Sequence, residues 1–400
     1  MITAKIDPLS YLSGQLDALR EGGTFQRLRV LESACEPISR VDGREVINLA
    51  SNNYLGLANH PKLREAAIEA TKRYGAGSGA VRTISGTMSL HLELEERIAA
   101  FKQAEACVVF QSGFAANAGT VSAILTPEDH IVSDALNHAS IIDGCRLSRA
   151  KIHVFPHRDT AVAEEKLKAL EGVRGRKLLI TDGVFSMDGD IGPLPELVAL
   201  AERHGAIMMI DDAHSSGVLG RNGRGTVDHF DLHGRVDIQV GTLSKAIGVL
   251  GGYVCGSRDL IDFLYHRARP FLFSTSHPPS VAASCLAAFD ILEREPERIE
   301  ALWSNTRHFQ NALHAAGFDT GNSETPITPI FVGEAKAAHA FSRALFENGL
   351  FATSIGFPTV PEGKARIRAI VTATHTAESL DRAVGILSGV AKQMGIGKRI

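Results

Sequence analysis

The sequence predicts an α/β chain: a three-layer, mostly parallel large domain followed by a smaller C-terminal α+β domain. Residues 106–110, 177–181, 206–211 and 236–241 are short apolar runs, and 206–211 is continuous in the way a strand covered on both faces requires. Helix-compatible stretches at 61–74, 91–101, 162–170 and 194–204 surround and separate them, which is the pattern of βαβ units. From Pro296 the order changes to a helix at 298–316, a strand at 327–332, a helix at 335–348, a strand at 365–371 and a final helix from Ala377. That succession suits an α+β unit.

Taken in order, residues 1–45 read as a helix and a short hairpin, with Val41-Asp42-Gly43-Arg44 as its turn. The large domain is placed at 46–285 and the small one at 286–400. Residues 75–87 are rich in glycine, yet Arg82 stands where a dinucleotide fingerprint needs its third glycine, and no apolar strand precedes them. They are expected to form a flexible loop lining a site. At 111–114, Gln-Ser-Gly-Phe leads from a strand into a helix-compatible stretch at 115–125; small residues there leave backbone N–H groups free to bind an anion.

The chemistry gathers at the strand ends. Lys245 closes the run at 236–241, with Thr242 three residues before it and glycines after it. Alone, such a lysine is more often a surface residue. The run at 206–211 ends in Asp211, Asp212 and His214, and a carboxylate there needs a cationic partner. The run at 177–181 opens into a loop that carries Ser186. Ligands collect outside the carboxyl ends of an open parallel sheet, so these turns should share one crevice. An anion cradle at Ser112, Gly113 and Phe114 with Thr242 nearby, an acid, a hydroxyl and an amine together match the handles of pyridoxal 5'-phosphate (PLP).

Composition excludes several classes. The 400 residues carry 42 Lys+Arg against 45 Asp+Glu, a net charge of -3, with no basic run to track a phosphate backbone, so nucleic acid is an unexpected partner. No stretch stays apolar long enough to cross a bilayer, and the start does not read as a signal peptide, so the expected address is the cytoplasm. The five cysteines are far apart and read as reduced thiols. His229 and His233 are four apart, but without a third ligand they read as a solvated turn, and no metal is expected.

Motifs spread over nearly the whole chain resemble one family. They are Asn48-Leu-Ala-Ser-Asn-Asn-Tyr-Leu-Gly-Leu, Asn137-His-Ala-Ser-Ile-Ile-Asp-Gly, Asp211-Asp-Ala-His, Thr242-Leu-Ser-Lys and Arg269-Pro-Phe-Leu-Phe-Ser-Thr-Ser. They are similar to those of the α-oxoamine synthases, fold-type I PLP-dependent transferases that condense an amino acid with an acyl-CoA. The resemblance implies that Lys245 carries the cofactor as a Schiff base, that Asp211 faces the pyridine nitrogen, and that His138 stacks on the ring. It implies His214 and Ser186 near the phenolic oxygen, and a phosphate held by Ser112, Gly113, Phe114 and Thr242, with Ser274 and Thr275 reaching over from a second subunit of a homodimer. Asn52 and Arg368 would bind the substrate, Arg368 gripping its carboxylate. On the residues alone, both histidines could equally be satisfied polar groups, and Arg368, on the same strand face as Arg366, could be a solvated arginine.

Within the family the chain is taken as most similar to the glycine C-acetyltransferase branch. The expected reaction is condensation of glycine with acetyl-CoA to 2-amino-3-ketobutyrate, with the reverse cleavage serving threonine breakdown. The alternatives are sibling synthases that join alanine to pimeloyl-CoA for biotin synthesis, giving 8-amino-7-oxononanoate, or serine to palmitoyl-CoA. An aminotransferase or lyase would share Lys245 and Asp211 without depending on CoA. The set Lys245, Asp211, His138 and Arg368 argues against a scaffold on an inactive enzyme fold.

Overall fold

The apolar runs become strands because helices roof them on both faces. The computed structural model describes residues 7–25, 27–357 and 359–396. In chain order its strands are β1 (Ile38–Val41), β2 (Arg44–Asn48), β3 (Ala106–Phe110), β4 (His130–Asp134), β5 (Lys151–Phe155), β6 (Lys177–Asp182), β7 (Ile207–Asp211), β8 (Ile238–Thr242), β9 (Gly252–Gly256), β10 (Ile327–Gly333), β11 (Leu350–Phe351), β12 (Thr353–Ile355) and β13 (Ala365–Ile370). Seven of them form one sheet in the order β3-β9-β8-β7-β6-β4-β5. β4 to β8 are mutually parallel, and β9 runs antiparallel to both β3 and β8. The carboxyl ends of β3, β4, β6, β7 and β8 therefore open on one edge, where a ligand crevice belongs.

All residues of β3, β4 and β8 are buried. β3 accordingly lacks alternation, β8 is buried on both faces although Gln239 interrupts its apolar residues, and β4 was not foreseen because His130, Ser133 and Asp134 leave it only two apolar residues. β5 was not foreseen: it is a sheet edge whose first two residues and Val154 are exposed, so it has no apolar run to recognise. β9 hides in a glycine-rich segment.

Helix starts follow their caps. The expected helix at 162–170 begins at Thr160 because Asp159 accepts a hydrogen bond from Val162 N at 3.0 Å. The one expected at 115–125 is Gly113–Ile124, capped by Ser112. The hairpin turn falls where expected, with Asp42 (φ 46°) and Gly43 (φ 76°) both left-handed between β1 and β2.

Two small sheets complete the described residues: β1-β2-β11 and β10-β13-β12. The helices Glu297–Ala315, Ala335–Glu347 and Ala377–Met394 pack on them through a separate core that includes Phe309, Phe341, Ile367 and Leu387. We propose that 46–285 and 286–400 are folding units joined by the helix Pro279–Arg294.

Residues 75–87 depart from the expected flexible loop. Arg82–Gly86 is a π-helical turn, and the buried Arg82 pairs in bidentate fashion with Glu95 at 2.8 and 2.9 Å. Ser276 Oγ donates to Gly86 O at 2.6 Å, and Val81 bridges to Thr275. A buried arginine needs these partners, and meeting that need anchors the segment. Cys107, Cys145, Cys255 and Cys285 are buried free thiols and Cys35 is a half-buried one. No helix among the described residues is long and apolar enough to cross a membrane.

Candidate active site

The cradle forms where β3 turns into the helix Gly113–Ile124. Ser112 Oγ accepts from Ala115 N at 3.1 Å, while the N–H groups of Gly113 and Phe114 have no intrahelical acceptor and are free for an anion. Gly113 lies against Thr242, where an added Cβ would sit 3.4 Å from the threonine Cβ. At Gly252 an added Cβ would come within 2.4 Å of Ser112 O and 2.5 Å of Gly113 N. The start of β9 thus shapes the cradle from below. Thr242 donates to Gly251 O at 2.8 Å and shares a 2.8 Å contact with the Ser244 hydroxyl. Phe114 contributes backbone, its ring being exposed.

Asp211 closes β7 and is 4% exposed. Its carboxylate accepts from Asn117 Nδ2 at 2.6 Å and from Ala213 N at 2.8 Å. Asn117 also donates to Ser140 Oγ at 2.9 Å, while its Oδ1 is buried without a partner among the described residues. Asp182 stands beside Asp211 in register at the end of β6. Burial and the neighbouring Asp211 push the Asp182 carboxyl well above the usual range, although the His138 backbone N–H donates to it at 2.7 Å. That bond fixes the turn carrying His138, whose Nδ1 lies 2.7 Å from Ser140 Oγ. The His138 ring opens to the crevice on one side. Crowding by protein on the other lowers its pKa, Asp211 opposing and Lys245 adding to the drop.

His214 is buried, with Nδ1 2.8 Å from the Tyr54 hydroxyl. Burial, then the positive charges of Lys245 and Arg368, drive its pKa well down, so the ring is neutral. Lys245 is half-buried, and its amine makes no hydrogen bond among the described residues. Burial lowers its pKa from 10.5 to about 8, with Asp211 resisting and Arg368 assisting.

Arg368 projects from β13. Its Nε donates to Ser186 O at 2.6 Å, and both terminal nitrogens lie 3.3 Å from Asn52 Oδ1. The solvated alternative for these arginines fails for a physical reason: Arg366 is 3% exposed, donating to Met187 O at 3.0 Å and pairing with Asp188. Ser274 is half-buried and Thr275 exposed, just beyond the turn from β3, where Thr275 O accepts from Gln111 Nε2 at 2.9 Å. Sequence reasoning passed over Asn117, Asp182 and Tyr54 as site residues. The one signal for Asn117 was a lone amide in a helix otherwise built of small and apolar residues.

The family model for aminotransferase class I and II matches residues 44–387. The chain belongs to that family. It is 59% identical over 386 residues to an 8-amino-7-oxononanoate synthase of Symbiobacterium thermophilum (strain DSM 24528 / JCM 14929 / IAM 14863 / T), covering 96% of this chain and 98% of the relative. A second 8-amino-7-oxononanoate synthase, from Thermoanaerobacter pseudethanolicus (strain ATCC 33223 / 39E), is 55% identical over 393 residues, covering 98% and 100%. Among solved structures, a serine palmitoyltransferase variant from S. paucimobilis with bound PLP-myriocin aldimine superimposes with a TM-score of 0.92 at 31% identity, covering 99% and 100%.

The protein is an α-oxoamine synthase, an acyl-CoA-condensing transferase with the fold-type I architecture, and it depends on PLP. The residues present fit that cofactor. A glycine-lined cradle can take its phosphate, a buried carboxylate with an unpartnered amide oxygen beside it can take its ring nitrogen side, and an unpaired amine of lowered pKa can take its aldehyde.

The expected likeness to glycine C-acetyltransferase is overturned. Relatives 59% and 55% identical over almost the full length are 8-amino-7-oxononanoate synthases, so glycine with acetyl-CoA and a place in threonine breakdown are set aside. The siblings share the lysine, aspartate, histidine and arginine because they share the chemistry. Glycine and alanine differ by one methyl group, a difference worth only about 1–3 kcal/mol in an apolar pocket.

Proposed function

We propose that this chain is an 8-amino-7-oxononanoate synthase, condensing L-alanine with pimeloyl-CoA in biotin synthesis and releasing CoA and carbon dioxide. The single observation that carries the reading is the 59% identity to a synthase of that name over 96% of the chain. A homodimer in the cytoplasm, with Ser274 and Thr275 of each subunit serving the other's cradle, completes the proposal.

Each residue then has a task. When bound, PLP supplies an aldehyde for the amino group and a protonated ring that draws electron density from Cα. Asp211, held by Asn117, keeps the ring nitrogen protonated. His138 would lie against the ring face, and neutral His214 with Ser186 would hydrogen-bond its phenolic oxygen. Ser112, Gly113, Phe114 and Thr242 hold the phosphate. Arg368, kept in place by Ser186 O and Asn52, grips the alanine carboxylate, and Asn52 lies beside it. The Lys245 amine would take the Cα proton, and its lowered pKa keeps a useful fraction of it neutral near pH 7.

A panel of CoA-release assays tests this. Alanine with pimeloyl-CoA should give kcat/KM at least tenfold above glycine with acetyl-CoA or serine with palmitoyl-CoA. A higher value for either rival pair would overturn the assignment.

A further inference from the structure

One half-buried histidine outside the crevice joins two of the turns that build it. His157, just after β5, places Nδ1 3.1 Å from Asp134 Oδ1 and Nε2 2.8 Å from Asp190 Oδ2. Both acceptors are carboxylates that are 2% and 7% exposed, so both ring nitrogens must donate and the ring is an imidazolium. Burial works against that charge, but the two carboxylates prevail and raise its pKa to about 9. The edge-on ring of Phe185, 4.3 Å away between centroids, fixes its plane.

The two carboxylates belong to different turns. Asp134 ends β4 and also accepts from Leu136 N at 2.8 Å and Arg158 N at 2.9 Å, shaping the turn that presents His138. Asp190 closes the loop after β6, where Phe185 N donates to Asp190 O at 3.0 Å and Gly189 N to Phe185 O at 2.9 Å. That loop carries Ser186, whose carbonyl anchors Arg368, and Asp188, which pairs with Arg366. A cavity of about 210 Å³ bounded by Asp188, Asn322 and Phe331 lies behind it. Arg158 ties the same two turns alongside it, its backbone N–H donating to Asp134 Oδ2 and its Nη1 lying 3.3 Å from Asp190 Oδ2, so loss of His157 loosens the loop rather than freeing it.

We propose that His157 is a positioning residue: by bridging Asp134 and Asp190 it locks the Ser186 loop to the His138 turn and so sets where Arg368 grips the substrate carboxylate. The inference rests on the roles given to Arg368 and Ser186 under the proposed function. It concerns binding of the amino acid more than the chemical step.

The test is a double-mutant cycle on the PLP-loaded enzyme with His157→Leu, Asp190→Asn and the pair, read by the shift of the cofactor's visible band on titration with L-alanine and by steady-state kinetics. Each single variant should weaken alanine binding and raise its KM about tenfold, with kcat changed less than threefold and PLP content unchanged. The double variant should be no worse than the worse single one. Effects that multiply in the double variant, or a fall in kcat with KM unmoved, would overturn the proposal. Should His157→Leu fail to fold, His157→Gln keeps the volume and one donor and carries the same readout at a smaller size. If the wild-type band ignores alanine but answers another amino acid, the substrate reading has failed, and the cycle is run with the amino acid that binds.

Discussion

At the scale of single residues, the decisive property is the charge state of Lys245. An ordinary lysine is almost wholly protonated at pH 7, whereas lowering the pKa from 10.5 to about 8 raises the neutral fraction roughly 300-fold. Only the neutral amine attacks an aldehyde or takes a proton. The rate at which cofactor-free protein captures PLP should therefore climb with pH, reach half its plateau near 8, and flatten above it. A stopped-flow series at constant ionic strength reads this, and a midpoint near 10 would show that burial does not tune the amine. Asn117 makes a second case. Replacing it with Leu leaves Asp211 without its 2.6 Å donor, so the carboxylate should turn from the ring nitrogen and kcat should fall about tenfold. Normal kcat in Asn117→Leu would mean that Asp211 is held by Ala213 alone. Lys245 and Asp211 were legible in the sequence because each closes an apolar run at the edge where ligands gather. Asn117 and His157 were not, because their partners are 94 and 33 positions distant and no local pattern encodes a tertiary hydrogen bond.

At the scale of elements, the cradle depends on how closely β9 passes under the turn between β3 and its helix. A Cβ at Gly252 would overlap backbone atoms that cannot yield, whereas one at Gly113 would meet Thr242 at ordinary contact. Gly252→Ala should thus weaken PLP binding at least tenfold, while Gly113→Ala changes it less than threefold. Equilibrium titration with PLP decides, and equal affinities for the two variants would refute the steric account. Strands and helices were legible where burial was two-sided or a cap was present, as at β3, β8 and Thr160–Lys168. β5 escaped because at a sheet edge Ile152 and Val154 stay exposed, alternating with Lys151 and His153 and leaving no continuous apolar run. Residues 75–87 misled because glycine content suggests freedom, while the constraint comes from Arg82 and Glu95 meeting across 13 positions.

At the scale of the molecule, two ion pairs separate stability from function. Lys102 and Asp212, 2.7 Å apart and both fully buried, tie the helix Ser89–Lys102 to the turn that follows β7. Removing one partner of such a pair strands a charge in the interior, at a cost of about 3–5 kcal/mol. Arg366 and Asp188 instead join β13 to the Ser186 loop, and the Asp188 side chain is 31% exposed, so water can take up part of the lost interaction. Lys102→Met should lower the chemical denaturation midpoint strongly, while any enzyme that remains folded keeps its KM for alanine. Arg366→Met should cost less stability, about 2 kcal/mol, because one partner can be rehydrated, yet raise that KM several-fold, because Ser186 O is two residues from Asp188 and anchors Arg368. The proposed substrate grip of Arg368 depends on β13 docking against the Ser186 loop. An Arg366→Met enzyme with wild-type KM would show that the docking is set by apolar packing and that the arginine pair adds nothing to it.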